Sequence, residues 1–86
     1  MKIEFTVRLP VDSHSVPFAR GMCRTALEHL RVATETIEEI VLALTEACAN
    51  VVEHTGEGGD YEVGICIDDE TCVISVWDAG AGFDLP

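Results

Sequence analysis

The sequence predicts an α/β two-layer sandwich of the α+β kind, with helices packed on one face of a mixed, largely antiparallel sheet. Three observations carry this. Ile3, Phe5, Val7 and Leu9 alternate with Lys2, Glu4, Thr6 and Arg8, the period of a half-buried strand. Two later runs carry apolar residues at helical spacing, Ala19 to Leu30 and Ile37 to Val51. Two further alternating segments, Tyr61 to Ile67 and Cys72 to Val76, flank a short acidic turn. The order β-α-α-β-β then puts both helices on one side of the sheet.

The elements follow in sequence. Pro10-Val11-Asp12-Ser13 breaks the first strand, and Pro17 fits the first turn of a helix, where its missing N–H costs nothing. Ala19, Met22, Cys23, Ala26, Leu27 and Leu30 form one buried stripe on that helix. Thr36-Ile37-Glu38-Glu39 matches a capping box and opens a second helix expected to reach about His54. Thr55 to Asp60 is glycine-rich and reads as a loop. With Asp69-Glu70 as a two-residue turn, Ile67 opposes Cys72, Ile65 opposes Ile74 and Val63 opposes Val76. Asp78, two residues beyond Val76, then belongs to the face that the helices cover.

The chain has 86 residues, enough for one domain. Hydrophobic residues make up 48% and charged residues 24%, which rules out disorder as the main reading. The formal net charge of −11 argues against nucleic acid as a partner, since its phosphates would be repelled. Met1-Lys2-Ile3-Glu4 has no apolar signal core, and no run approaches the roughly 20 apolar residues of a membrane span, so the expectation is a soluble, cytoplasmic protein without membrane contact. Cys23, Cys48, Cys66 and Cys72 show no CxxC spacing and sit among apolar neighbours, which favours buried reduced thiols over zinc or disulfides.

Two short stretches carry chemistry. Glu46 and Asn50 lie one turn apart on the second helix, and at about 100° per residue they share a polar stripe with His54, separate from the apolar face. Ala43 and Ala47 leave room beside it. A hard cation such as Mg²⁺ needs oxygen ligands yet keeps several waters, so one amide oxygen and a nucleotide's phosphates suffice. The plainer reading is the solvated side of an amphipathic helix. Asp78, at a strand end, can accept a hydrogen bond from an exocyclic amine, which favours adenine, and Gly80 and Gly82 remove side chains where a flat ring would lie. Here the plainer reading is an aspartate–glycine turn. The two stretches together point to a Mg-nucleotide site.

These residues resemble a known family. Glu46-x-x-x-Asn50 resembles the N-box, and Asp78-x-Gly80-x-Gly82-Phe83 the G1 box, of the GHKL ATPase superfamily with its Bergerat fold. The Phe18-Ala19-Arg20 segment and the run Val41 to Ala47 look more narrowly like bacterial anti-sigma factors with serine-kinase activity, of the SpoIIAB/RsbW type. The resemblance implies ATP and Mg²⁺ as cofactors, with Asn50 chelating the metal, Glu46 acting as base on a serine hydroxyl, and Asp78, Gly80 and Gly82 shaping the adenine pocket. His54 is placed with the nucleotide-facing residues. Arg20 would contact a protein partner. Arg20, Arg24 and Arg31 are expected to line one side of the first helix, on a chain with only five basic residues, so Arg24 joins Arg20 as a candidate; the plainer reading pairs Arg24 with Glu28.

The implied activity is sequestration of a sigma factor and phosphorylation of a serine on a STAS-type anti-anti-sigma antagonist. In this family a mobile lid and a second glycine box follow the G1 box, whereas the sequence ends at Leu85-Pro86. The expectation is therefore that residues 1–86 form the N-terminal part of an ATP-binding domain, a fragment of a longer protein. Exposed edges would favour a homodimer. The competing expectation is a non-catalytic interaction module, and a histidine-kinase ATP-binding part comes third.

Overall fold

The computed structural model describes residues 1–55 and 58–78. Strand β1 (Ile3–Pro10) leads to helices α1 (Ser15–His29) and α2 (Thr34–Thr55), then to strands β2 (Asp60–Ile67) and β3 (Cys72–Asp78). The sheet order is β1-β2-β3. Among the described residues both ladders of the expected largely antiparallel sheet are antiparallel.

Alternation fixes which side chains turn inward. Ile3, Phe5, Val7 and Leu9 pair with Ile67, Ile65, Val63 and Tyr61, so one face of β1 continues the inner face of β2. On the other side Ile67 pairs with Cys72, Ile65 with Ile74 and Val63 with Val76, the register expected from the turn. Asp68 holds that turn. Its carboxylate accepts hydrogen bonds from the backbone N–H groups of Glu70 and Thr71, both at 2.8 Å, and from the Thr71 hydroxyl at 3.1 Å. Those donors, the Glu70 N–H first, keep the Asp68 carboxyl below the ordinary carboxylate range.

Helix α1 begins where Pro17 in its first turn requires, whereas α2 begins two residues before the capping box at Thr36. The Asp12 carboxylate accepts the His14 N–H at 2.8 Å, and the Asp12 carbonyl accepts the Ser15 N–H at 3.0 Å, so α1 opens at Ser15 with Pro17 in its first turn. The α1 exit sets the α2 start. Val32 N–H bonds to Leu27 carbonyl at 3.1 Å and Arg31 N–H to Glu28 carbonyl at 3.0 Å, the paired bonds of a Schellman turn. Arg31 occupies the left-handed position with φ of 60°, a place that favours glycine. It therefore stands beyond α1 and does not extend the helical row of Arg20 and Arg24. The turn leaves so short a link that the Ala33 carbonyl already accepts the Ile37 N–H at 2.9 Å. Thr36 lies inside α2, not at its cap.

The core lies between the helices and the sheet. Ala19, Cys23 and Leu27 of α1 and Ile37, Val41, Leu44, Cys48 and Val51 of α2 close over Tyr61, Val63, Ile65 and Ile67. On the outer face Gly64 admits the Trp77 indole: a Cβ there would stand 3.3 Å from the ring. A side chain at Gly64 would require the indole to give by a few tenths of an ångström. All four thiols are free, and the expectation of burial holds for Cys23 and Cys48, while Cys66 and Cys72 are only half-buried because they lie off the covered part of the sheet.

Candidate nucleotide site

The site is built on the C-terminal half of α2 and the last rung of the sheet. Leu44, Cys48 and Val51 turn into the core and fix the rotation of α2. Glu46, Asn50 and His54 consequently stand on its exposed side, with Ala47 half-buried next to them. Glu46 and Asn50 make no hydrogen bond or ion pair among the described residues. A carboxylate and a carboxamide one turn apart, free of protein partners, can be spent on a ligand, and a small residue beside them lets that ligand approach the helix.

The level of this turn along the sheet is set by Tyr61. Its phenol is fully buried, and its oxygen lies 2.7 Å from Ser15 Oγ. Ser15 Oγ donates to the Asp12 carbonyl at 2.7 Å, which leaves the tyrosine hydroxyl as the donor to Ser15. The Cys48 thiol, between Glu46 and Asn50 in sequence, neighbours the same phenol. Burial raises the pKa of both groups; Tyr61 partly opposes this for Cys48, whereas for Tyr61 the Ser15 contact opposes it and Cys48 adds to it. In the ladder Tyr61 pairs with Asp78. The backbone therefore brings the rung that carries Asp78 level with the helical turn carrying Glu46 and Asn50. Of the elements in the helix layer, α2 is the one that runs against β3.

Gly80 and Gly82 lie outside the described residues, as does the side chain of Asp78. Tyr61 is the residue that sequence reasoning passed over: as one apolar member of an alternating strand it gave no sign of its hydroxyl's buried partner. The only hint was a serine near the start of α1, which is too common to single out.

The two arginines divide. Arg24 forms a two-pronged ion pair with Glu38, a clamp between α1 and α2 in place of the Glu28 pairing. This contact, mainly the hydrogen bond, lowers the Glu38 pKa and raises that of Arg24. Arg20 is exposed and has no partner among the described residues. A separate cavity of about 490 Å³ lies at the opposite end of the sheet, lined by Leu27, Leu30, Val32, Ile40 and Cys72. It contains none of the predicted site residues. No described helix is long and apolar enough to cross a membrane.

Donor chemistry fits a Mg-nucleotide. The exposed amide oxygen of Asn50 is a hard ligand, and on a chain of net charge −11 a cation would offset the repulsion of a triphosphate.

Comparison with known proteins agrees. Residues 9–86 match the family described as histidine kinase-like ATPase domain. The chain is 34% identical over 84 residues to the serine-protein kinase RsbW of Halalkalibacterium halodurans, covering 96% of this chain and 51% of the relative. It is 28% identical to RsbW of Bacillus pumilus and of Oceanobacillus iheyensis, covering 92% of this chain and 52% of each relative. The chain thus spans about half the length of these curated relatives. A match over nearly the whole sequence, on an α+β fold of two helices against an antiparallel sheet, means that the chain belongs to the histidine kinase-like ATPase domain family, within the GHKL superfamily and similar to the RsbW serine-protein kinases.

Proposed function

We propose that the protein to which these residues belong binds Mg-ATP and phosphorylates a serine on a STAS-type anti-anti-sigma protein, thereby controlling a sigma factor in the cytoplasm. The observation that carries this reading is the unpartnered Glu46–Asn50 pair on α2, level with the Asp78 rung, in a chain similar to serine-protein kinases.

Each residue has a role that its position can support. The Asn50 amide oxygen would hold Mg²⁺, which when bound would spread the charge of the phosphates. Glu46 would take the proton of the attacking serine hydroxyl; as an exposed carboxylate it is open to a substrate arriving from solvent. Asp78 would accept a hydrogen bond from the adenine amine, with Gly80 and Gly82 leaving space for the ring, and His54 would lie toward the nucleotide one turn beyond Asn50. Arg20, uncommitted to any neighbour, would meet the protein partner. Arg24 would contribute by fixing α1 against α2. The protein would work as a homodimer, independent of nucleic acid and membrane.

The test is transfer of radiolabelled phosphate from ATP to a candidate antagonist by the longest form of the protein. Transfer by wild type and its loss in Glu46→Ala support the kinase reading; equal transfer by that variant would falsify Glu46 as base. A second reading is an interaction module without turnover, with the exposed, unpartnered Arg20 as its contact. Thermal denaturation separates them: ATP with magnesium at a hundredfold its dissociation constant should add about 2.7 kcal/mol. No shift would favour the module.

A further inference from the structure

The cavity of about 490 Å³ at the end of the sheet away from Asp78 has no part in the site described above. It lies between two connections, the 30–33 link from α1 to α2 and the turn from β2 to β3. Leu27 at its base is closed from solvent, whereas Leu30, Val32, Ile40 and Cys72 around it are only half-buried. All four are apolar side chains packed against the core, with no described element over them. Burial first, and then neighbouring Cys66, raise the pKa of the Cys72 thiol, so the floor carries no charge. Small-molecule sites typically enclose roughly 300–1,000 Å³ over an apolar floor with a few polar groups at the mouth. This cavity has that form.

The charge at its mouth is uneven. Asp68, Asp69 and Glu70 stand on the turn side and Arg31 on the link side. Asp69 is already paired with the Met1 amino group at 3.2 Å. The Asp68 carboxylate is held ionised by the turn's N–H groups, yet a single oxygen, Oδ1, accepts its hydrogen bonds, so Oδ2 is open. Lys2 attracts Asp68 only weakly and does not line the cavity. Glu70 and Arg31 have no partner among the described residues. The free groups at the mouth are therefore two carboxylates against one guanidinium. The surrounding field has the same sign, since a chain of net charge −11 attracts cations and repels anions. Arg31 adds a direction. The Schellman bonds hold its backbone at a φ of 60°, where glycine is favoured, and keep a positive charge at the link. A bound cation is turned away from that end and toward Asp68 and Glu70.

We infer that this cavity binds a small amphipathic amine, its apolar body seated on Leu30, Val32 and Ile40 and its ammonium held at the turn by Asp68 and Glu70. The site is separate from the Glu46–Asn50 turn and does not rest on the kinase reading.

Tryptamine and indole-3-propionate are suitable probes, because they share a ring and spacer and differ in the sign of their charge. Titration followed by amide NMR shifts reads binding at Leu30, Val32, Ile40 and Cys72. For a ligand of this size the dissociation constant of tryptamine should be on the order of 1 mM. Saturating shifts at those amides, with indole-3-propionate bound about tenfold more weakly, support the inference. Glu70→Lys should weaken tryptamine about tenfold, and it spares the turn because only the Glu70 backbone bonds to Asp68. Thr36→Trp, at an exposed position on the cavity wall, should block the mouth and abolish binding. No shift at about 10 mM tryptamine overturns the inference. So does equal binding of the two probes, or undiminished binding by either variant. A leucine–lysine decapeptide that binds where tryptamine does not would also overturn it, by making the cavity a protein contact. Thermal shift with ATP and magnesium on the same samples reports on the kinase reading alone.

Discussion

Val63 and Ile65 of β2 and Val76 and Ile74 of β3 turn toward the same helices from directly opposed ladder positions, yet the two pairs end in different environments. The β2 pair is closed from solvent, at 0% and 2% exposure, while the β3 pair remains half-buried. The residue types are the same and so is the alternation. The difference is coverage: β2 is central and lies under both helices, whereas β3 is an edge of the described sheet with α2 alone running against it. An alternating pattern thus specifies a face but not a depth. It also separates two jobs, since β2 supplies stability and the β3 side leaves a strand end level with an exposed helical turn.

The sharpest way to break this comparison is matched truncation. Ile65→Ala should destabilise the fold by about 3 kcal/mol, the cost of deleting a fully buried side chain. Ile74→Ala should cost about 1 kcal/mol, because much of its surface is already wet. Equal shifts in urea midpoint for the two variants would show that β3 is covered as deeply as β2. Next in size is Asp78→Asn, expected to weaken ATP by about 2 kcal/mol, the worth of a charge-assisted hydrogen bond, and ADP by as much since adenine is common to both. Calorimetric titration showing a loss for ATP alone would move Asp78 away from the base.

Tyr61→Phe probes the rung itself. Removing the hydroxyl leaves Ser15 its bond to the Asp12 carbonyl, so the expected loss is about 1 kcal/mol in denaturant. A change beyond about 3 kcal/mol would mean that the phenol supports more than the α1 start. The smallest effect concerns the clamp between the helices. The Glu38 carboxyl is held below its ordinary value of 4.5 by Arg24, so its contribution is fully present above that value and fades as pH falls through the lowered folded-state value. Glu38→Gln should flatten this acid limb slightly and leave stability at neutral pH nearly unchanged, as expected of an exposed pair. A loss at neutral pH as large as that of Ile65→Ala would refute it.

The fold was legible where periodicity and turn chemistry were strong. Alternation identified all three strands, and the acidic turn after Ile67 set the hairpin register residue by residue. The start of α2 was misplaced because a capping box was visible at Thr36 while the Schellman turn before it was not: its left-handed position holds Arg31, where glycine would have signalled it. Of the site, the Glu46–Asn50 spacing was readable from helical geometry alone. The placement of Arg24 was not. Glu28 is its neighbour in sequence, but Glu38 is its partner across the helix pair, and only the packing angle of α1 on α2 selects between them.

The amino-acid order by itself determined which residues face inward, because the periods of strand and helix are fixed by backbone geometry. It also determined that a carboxylate and a carboxamide would share one side of α2. Tertiary structure alone decided how deep each inward residue lies, which acid Arg24 meets, and that Tyr61 would fix the α2 turn level with the last rung of the sheet. Those outcomes depend on distances between segments far apart in the chain, and such distances are set by packing the whole core at once.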